Sequence, residues 1–280
     1  MSGASVQDAL SGCSTSAVSG LDDQIIAEVN CAIGGELAQV KASNFAKGAA
    51  TNPFMETPAR NALEAALADK PGMTLDANSM LRTIAQQYLL YAWYQQGRCG
   101  IQLAAVPGSS NHETGLAVDV AEYDAWKPTL EAHGFKWFGS ADVVHFDYVG
   151  AGSKDLRGED VKAFQRLWNK NHPGDTIDVD GAYGPATESR IQQSPAAGFA
   201  IGSTCAVADA GAPKDGGDVA PATTSDPPPA PAPPPNQFLP PTPPKDASSS
   251  GCNAGGGAPT APALLAAALA LVVTRRRRAR

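Results

Sequence analysis

Ser110-Asn-His112-Glu-Thr-Gly115-Leu-Ala-Val-Asp119 is followed, 23 residues on, by Asp142-Val-Val-His145. His112, Asp119 and His145 are the donor types that a hydrolytic zinc takes as its three protein ligands, leaving a fourth position for water. Asp142, three residues before His145, is the candidate base for the attacking water. Leu116 to Val120 alternates, with Leu116, Val118 and Val120 on one face and Ala117 and Asp119 on the other. Such a strand buries its aliphatic side and turns Asp119 towards the site, with the small Ala117 leaving room beside it. His112 lies seven residues before Asp119, an odd spacing that would point it away on a straight strand. Gly115 permits the turn or bulge that brings His112 round. In the second segment Val143, His145 and Asp147 share one face, so Asp142 belongs on the turn leading in.

The pattern Ser-x-His-x-x-Gly-x-Ala-x-Asp followed by Asp/Glu-x-x-His resembles the signature of the VanY-like zinc D,D-carboxypeptidases and L-alanyl-D-glutamate endopeptidases, which share the hedgehog/D,D-peptidase fold. The resemblance implies Zn2+ held by His112, Asp119 and His145. Many carboxypeptidase members carry Glu-x-Trp-His, whereas this chain has Asp142 and Val144, closer to the endopeptidase branch; the scissile bond stays open between the two. Upstream, Ser79-Met-Leu-Arg82-Thr, with Gln87 and Leu90-Tyr91 following, resembles another segment of the same family. Arg82 is implied as the residue that binds a substrate carboxylate, as a planar guanidinium does well. Arg82, Gln87 and Ser110 make the expected substrate-binding set, Arg82 and Asp142 the catalytic one. Ser110 is read as a hydrogen-bonding neighbour of the ligands rather than a nucleophile. Glu113 occupies a position the family leaves variable and stands next in line as base. His133, before Gly134, reads as a helix C-terminal residue, and His172 as a solvated turn residue.

The helices and strands around these segments define an α+β domain, a small antiparallel sheet with flanking helices. Helices are expected over Leu21–Val40 (interrupted at Gly34-Gly35), Thr57–Leu67, Leu81–Gln96 and Asp124–Ala132, and a strand over Met73–Asn78. This zinc peptidase domain with its N-terminal helical region is assigned to 1–152. A second unit, 153–205, opens with the helix face Val161, Phe164, Trp168 and continues through Val179-Asp180-Gly181-Ala-Tyr183-Gly184-Pro-Ala-Thr187. It resembles the small helical peptidoglycan-binding domain. Its glycines suit a tight loop, Thr187 is expected to cap the next helix, and Pro195 shortens that helix. Asp178 and Asp180 are too few for a calcium loop. Residues 206–250 are a Pro-rich linker, extended and semi-rigid, densest over Pro227–Pro244.

The tail, 251–280, combines Gly251-Cys252, an apolar run of 11 residues over Ala263–Val273 and an arginine cluster from Arg275. The run is short for a stable span, which takes about 20 residues, and the arginines mark a cytoplasmic stop. The layout resembles the MYXO-CTERM sorting tail of myxobacterial surface proteins, which implies processing or lipidation at Cys252 and attachment to the membrane. An exported protein at the cell surface or in the periplasm follows, although no signal peptide is legible at the N-terminus. Leu10-Ser-Gly-Cys13 matches a lipobox without the apolar stretch such a site follows. The net charge is −7 despite five arginines after Thr274, so the body is acidic and nucleic acid is not an expected partner. The five cysteines form no Cys-x-x-Cys pair and so no cysteine zinc site. In an oxidising compartment the first four can make two disulfides; of three possible pairings, Cys13–Cys31 with Cys99–Cys205 is taken. The function expected is zinc-dependent hydrolysis of peptidoglycan stem peptides, of the D-alanyl-D-alanine carboxypeptidase type. The alternatives are an L-alanyl-D-glutamate endopeptidase and a non-catalytic zinc-containing wall-binding surface protein.

Overall fold

Helix ends follow local capping chemistry in the computed structural model, which describes residues 3–203. Cys205, the stalk and the tail with Cys252 lie outside the described residues. The short α1 (Val6–Ala9) opens with a capping box, Ser5 accepting from the Asp8 amide and Asp8 accepting from the Ser5 amide. α2 (Ser19–Ala32) stops before Gly34 and Gly35, both at left-handed φ. The sequence carries helix through to Val40, but the glycine pair ends it. The chain then enters β1 (Leu37–Gln39), followed by β2 (Phe45–Lys47) and β3 (Phe54–Glu56). α3 (Thr57–Asp69) has Pro58 in its first turn, where no amide is missed. β4 (Leu75–Ser79) leads to α4 (Ile84–Gln95), capped by Thr83, whose Oγ1 accepts from the Gln86 amide. β5 (Ala117–Val120), α5 (Tyr123–Ala132), β6 (Phe135–Trp137) and β7 (His145–Tyr148) complete the first half.

Five strands form one sheet in the order β2-β4-β5-β7-β6. β2 pairs with β4 in parallel and the other pairs are antiparallel, so the expected antiparallel sheet is mixed at one edge. β1 and β3 pair separately. β5 is central and all four of its residues are buried. α3 and α5 cover the sheet through a core that includes Leu63, Leu67, Val118, Trp126 and Phe146. The register sets Asp119 opposite His145 across β5–β7 and opposite Ser79 across β4–β5. Directly opposed residues have Cβ atoms about 4.5–5.5 Å apart, so the register alone brings two of the donors together.

A second core is helical. Ile25 and Val29 of α2, Leu89 and Trp93 of α4, and Phe164, Leu167 and Trp168 of α6 (Glu159–Asn171) pack with Ile191 of α7 (Pro185–Gln193). The boundary expected at 152/153 therefore falls inside one continuous core, and the described residues all belong to one compact unit. Arg166 of α6 pairs with Glu28 of α2 at 2.8 Å. The chain near Ser194 bonds to the N-terminal segment, with Val6 donating to Ser194 and Ala196 to Ala4. Cys13 is disulfide-bonded to Cys99, 86 residues away, which corrects both assumed pairings; Cys31 is disulfide-bonded as well. The two half-cystines sit in loops brought together by α1 and α4, an arrangement local spacing does not encode.

The Val179–Thr187 loop forms as its glycines suggest, with Asp180 accepting from the Ala182 amide and from Gln165 Nε2. Thr187 does not cap α7; Gly184 stands at that position. Thr187 is buried instead, its hydroxyl donating to the Ala182 carbonyl and accepting from Gln165. His172 is not a free turn residue either. Its ring stacks on Trp168 at 3.7 Å between centroids. His133 ends α5 as expected and lies 2.7 Å from Asp69. Among the described residues no helix is long and apolar enough to cross a membrane.

Candidate metal centre

His112 reaches the site from a short 3-10 turn, Asn111–Thr114, rather than from a strand. Ser110 starts the turn, accepting from the His112 amide, and Gly115 ends it at φ 76°. This left-handed residue is the direction change that the odd spacing of His112 and Asp119 requires. His112, Asp119 and His145 are all buried, and one donor atom from each falls within 4.8 Å of the others. His112 Nε2 lies 3.2 Å, and His145 Nδ1 2.9 Å, from the same Asp119 Oδ1. The three residues can hold a metal ion.

Each imidazole is held through its other nitrogen. His112 Nδ1 lies 2.8 Å from the Met80 carbonyl oxygen, to which it can donate only if that nitrogen carries the proton. This leaves Nε2 with a lone pair facing Asp119. His145 Nε2 lies 3.0 Å from Asp147 Oδ1, and Asp147 Oδ2 accepts from Asn111 Nδ2 at 3.0 Å. Metal-binding histidines characteristically donate their second N–H to a carboxylate or carbonyl, which fixes ring and tautomer. The donor set and its supports fit a divalent ion of the zinc type. The sequence sets Asp147 on the face of His145, and the structure adds its role as the acceptor behind that imidazole. The signal for it is the His-x-Asp spacing, which sets both side chains on one face of β7.

Electrostatics agree with the geometry. Burial alone would raise Asp119, but His112, His145 and Arg82 outweigh it and keep the carboxylate ionised. Burial lowers His112, with the Arg82 charge adding to it, so this imidazole is neutral. Burial also disfavours the His145 cation, yet Asp119 and Asp147 push its pKa up to about 9. A cation is thus favoured at the His145 position, and a metal ion meets that demand.

Arg82 is positioned by Ser79, which accepts from its Nε at 2.8 Å, and by Asp119 Oδ2, 3.2 Å from its Nη2. The Arg82 amide also donates to the His112 carbonyl. Nη1 makes no hydrogen bond among the described residues. Asp142 sits on the turn leading into β7, half-buried, and its carboxylate has no hydrogen bond or ion pair among the described residues. Its negative charge acts on Arg82. Phe138 and Val143 belong to the same turn.

Gln87 is not at the site. It is fully buried and donates to the Ala105 carbonyl, holding the loop that precedes Ser110. Ser110 is a loop-builder and not a surface group. Glu113 is buried too, accepting from the Gly108 and Ser110 amides at 2.8 Å each. Its carboxyl meets Asp160 of α6, and the two line one small cavity with Arg82. Burial pushes Glu113 up to about 7, and burial together with Glu113 raises Asp160 well above the usual carboxylate range. Two buried acids side by side share a proton rather than both ionising. Asp160 was not singled out in the sequence.

Residues 54–149 match the family model VanY, D-alanyl-D-alanine carboxypeptidase. The match runs from β3 through β7 and holds every residue of the metal centre, Arg82 and Asp142 included. It leaves out α1, α2, α6 and α7. No curated protein matches the chain.

Proposed function

We propose that the protein is a zinc-dependent peptidase that removes residues from peptidoglycan stem peptides, of the D-alanyl-D-alanine carboxypeptidase type. The observation that carries this reading is the convergence of His112 Nε2, Asp119 Oδ1 and His145 Nδ1, each supported from behind, inside the segment that matches VanY. Zn2+, when bound there, supplies Lewis acidity and water activation. Arg82 offers the guanidinium edge not engaged by Ser79 and Asp119 to a substrate carboxylate, with those two residues fixing its plane. Asp142 takes a proton from the attacking water and delivers it to the leaving amine. The unpartnered carboxylate of Asp142 supports this role, and it separates the reading from a wall-binding protein with a purely structural ion, which needs no base. Cleavage of the L-alanyl-D-glutamate bond is the second reading, favoured by Asp142-Val-Val-His145 in place of Glu-x-Trp-His.

The Cys13–Cys99 disulfide supports export to an oxidising compartment. We place the protein at the cell surface or in the periplasm, with its tail as the membrane attachment, processed at Cys252. Mass spectrometry of muropeptides incubated with the purified protein tests the function. Chelator-sensitive loss of one terminal D-alanine is expected. Release of L-alanine from D-glutamate selects the second reading, and unchanged muropeptides refute both.

A further inference from the structure

A helix face that passes from aromatic to amide side chains is poorly suited to packing alone, because each amide carries donors and an acceptor that a core would have to satisfy. On α4 and its C-terminal cap, Tyr88, Tyr91, Ala92, Gln95 and Gln96 fall at i, i+3, i+4, i+7 and i+8, the spacing of one helix face. That face lines a groove of about 270 Å³, completed by Gln7 and Leu10 from α1 and by Glu188 and Gln192 from α7. The volume lies near the lower end of the range for small-ligand sites, about 300–1,000 Å³, so the groove suits a slender chain rather than a folded partner. From Tyr88 to Gln95 the face runs roughly 10 Å. The walls are tied to one another. The Tyr88 hydroxyl donates to Gln7 Oε1 at 3.2 Å, the Val6 amide donates to the Ser194 carbonyl just past α7, and the Cys13–Cys99 disulfide joins the loops after α1 and α4. The Tyr91 hydroxyl and the Gln95 side-chain amide, by contrast, have no hydrogen-bond partner among the described residues.

We propose that this groove binds a neutral saccharide chain, with the Tyr91 ring against a pyranose face and the glutamine amides on the sugar hydroxyls. Amides donate and accept, and so do hydroxyls, so the two match in either sense. A tyrosine ring offers a flat apolar face for the C–H side of a pyranose, with a polar tip beside it. Charge decides against an acidic ligand. Glu188 lines the groove, and no lysine or arginine does so among the described residues. Arg98, which touches Gln96, is directed at the carbonyls of Leu10 and Ser11. A stem peptide brings carboxylates and would meet no counter-charge there. His112, Asp119, His145, Arg82 and Asp142 take no part in lining the groove, so the proposal does not rest on the peptidase reading.

The test is an NMR titration of the full, isotopically labelled protein with the tetramer of N-acetylglucosamine, with cellotetraose and with an end-blocked tetra-alanine peptide. Saturable shifts of the Gln7, Gln95, Gln96 and Gln192 side-chain amides are expected with at least one of the two oligosaccharides at millimolar concentration or below, and none with the peptide. Tyr91→Ala should weaken oligosaccharide binding by about fivefold, and Tyr91→Phe, which keeps the ring, by less. Gln95→Ala should weaken it by about fivefold, with melting temperature unchanged. Gln95 is exposed, so this variant provides the reading if Tyr91→Ala does not fold. Absence of saturable shifts with both oligosaccharides overturns the proposal, as does binding that Gln95→Ala leaves at wild-type strength. Equal or stronger shifts with the peptide would assign the groove to a peptide chain and overturn it too.

Discussion

The sheet half and the helical half of this protein solve the problem of burying polar groups in opposite ways. In the sheet half, charged groups are concentrated, partnered and directed at one point. Asp119 meets two imidazoles and one guanidinium, and each imidazole is backed by its own acceptor. In the helical half, buried carboxyls such as Asp22 and Asp160 have at least one oxygen without a hydrogen-bond partner, and they avoid the cost by holding a proton. Charge kept and compensated marks a place prepared for a cation. Charge suppressed marks a place built for packing. The two halves touch where Glu113 meets Asp160, so the packing half holds the loop that carries His112.

The severest way to break this comparison is to remove α6 and α7. Deleting residues 153–203 exposes the helical core and leaves Glu113 without Asp160; loss of cooperative unfolding and of tight zinc binding are both expected, read by calorimetry and metal analysis. A stable, zinc-binding remainder would make the helical half an appendage. Within the sheet half, His112→Ala should bring bound zinc to background, whereas Asp142→Asn should keep the zinc and slow turnover by about 100-fold or more. Near-normal cleavage by Asp142→Asn hands the proton to another group. Asp147→Ala should cost about 10–100-fold in zinc affinity or activity, measured by chelator competition, with Asp147→Asn, which keeps an acceptor for His145 Nε2, less affected. An equal loss in both would show that charge, not orientation, is what Asp147 provides.

The mildest test is a pH series on Asp22. Burial pushes this carboxyl up to about 8, while Thr83 donates a hydrogen bond to it. The folded pKa lies above the ordinary aspartate value of 3.8, so the folded state holds the extra proton between these values. Its contribution is complete below about pH 4 and falls as pH rises towards 8, by at most about 1.4 kcal/mol per unit. Asp22→Asn should gain on wild type progressively over that window in urea titrations. A constant difference from pH 4 to 8 would mean that Asp22 is ionised in the folded protein.

The meeting of His112, Asp119 and His145, the candidate metal donors, was legible because they lie in chain order within two short segments, where strand parity and one glycine decide which way side chains point. The turn position of Asp142 followed from the same parity argument. α3, α4, α5 and β4 were legible from periodicity to within a few residues. What escaped depends on distant partners. Gln87 has the spacing of a site residue but faces Ala105, Thr187 has the chemistry of a cap but sits under a loop, and Cys13 finds Cys99 only after α1 docks on α4. The parallel β2–β4 edge escaped because Phe45–Lys47 is too short to show a period. Asp160 reads locally as an ordinary acid in the first turn of a helix, favourable there through the helix dipole. Its contact with Glu113 spans the whole fold.

That contact has a consequence for when the protein becomes competent. Chains are made from the N-terminus, at roughly 5–20 residues per second, so His112, Asp119 and His145 all exist before Asp160 does. For those seconds the donors are present while the loop beneath His112 has nothing to rest on. Completion of the centre therefore waits on α6, a helix made after all three donors, and a metal ion arriving earlier meets a loop that is not yet held in place.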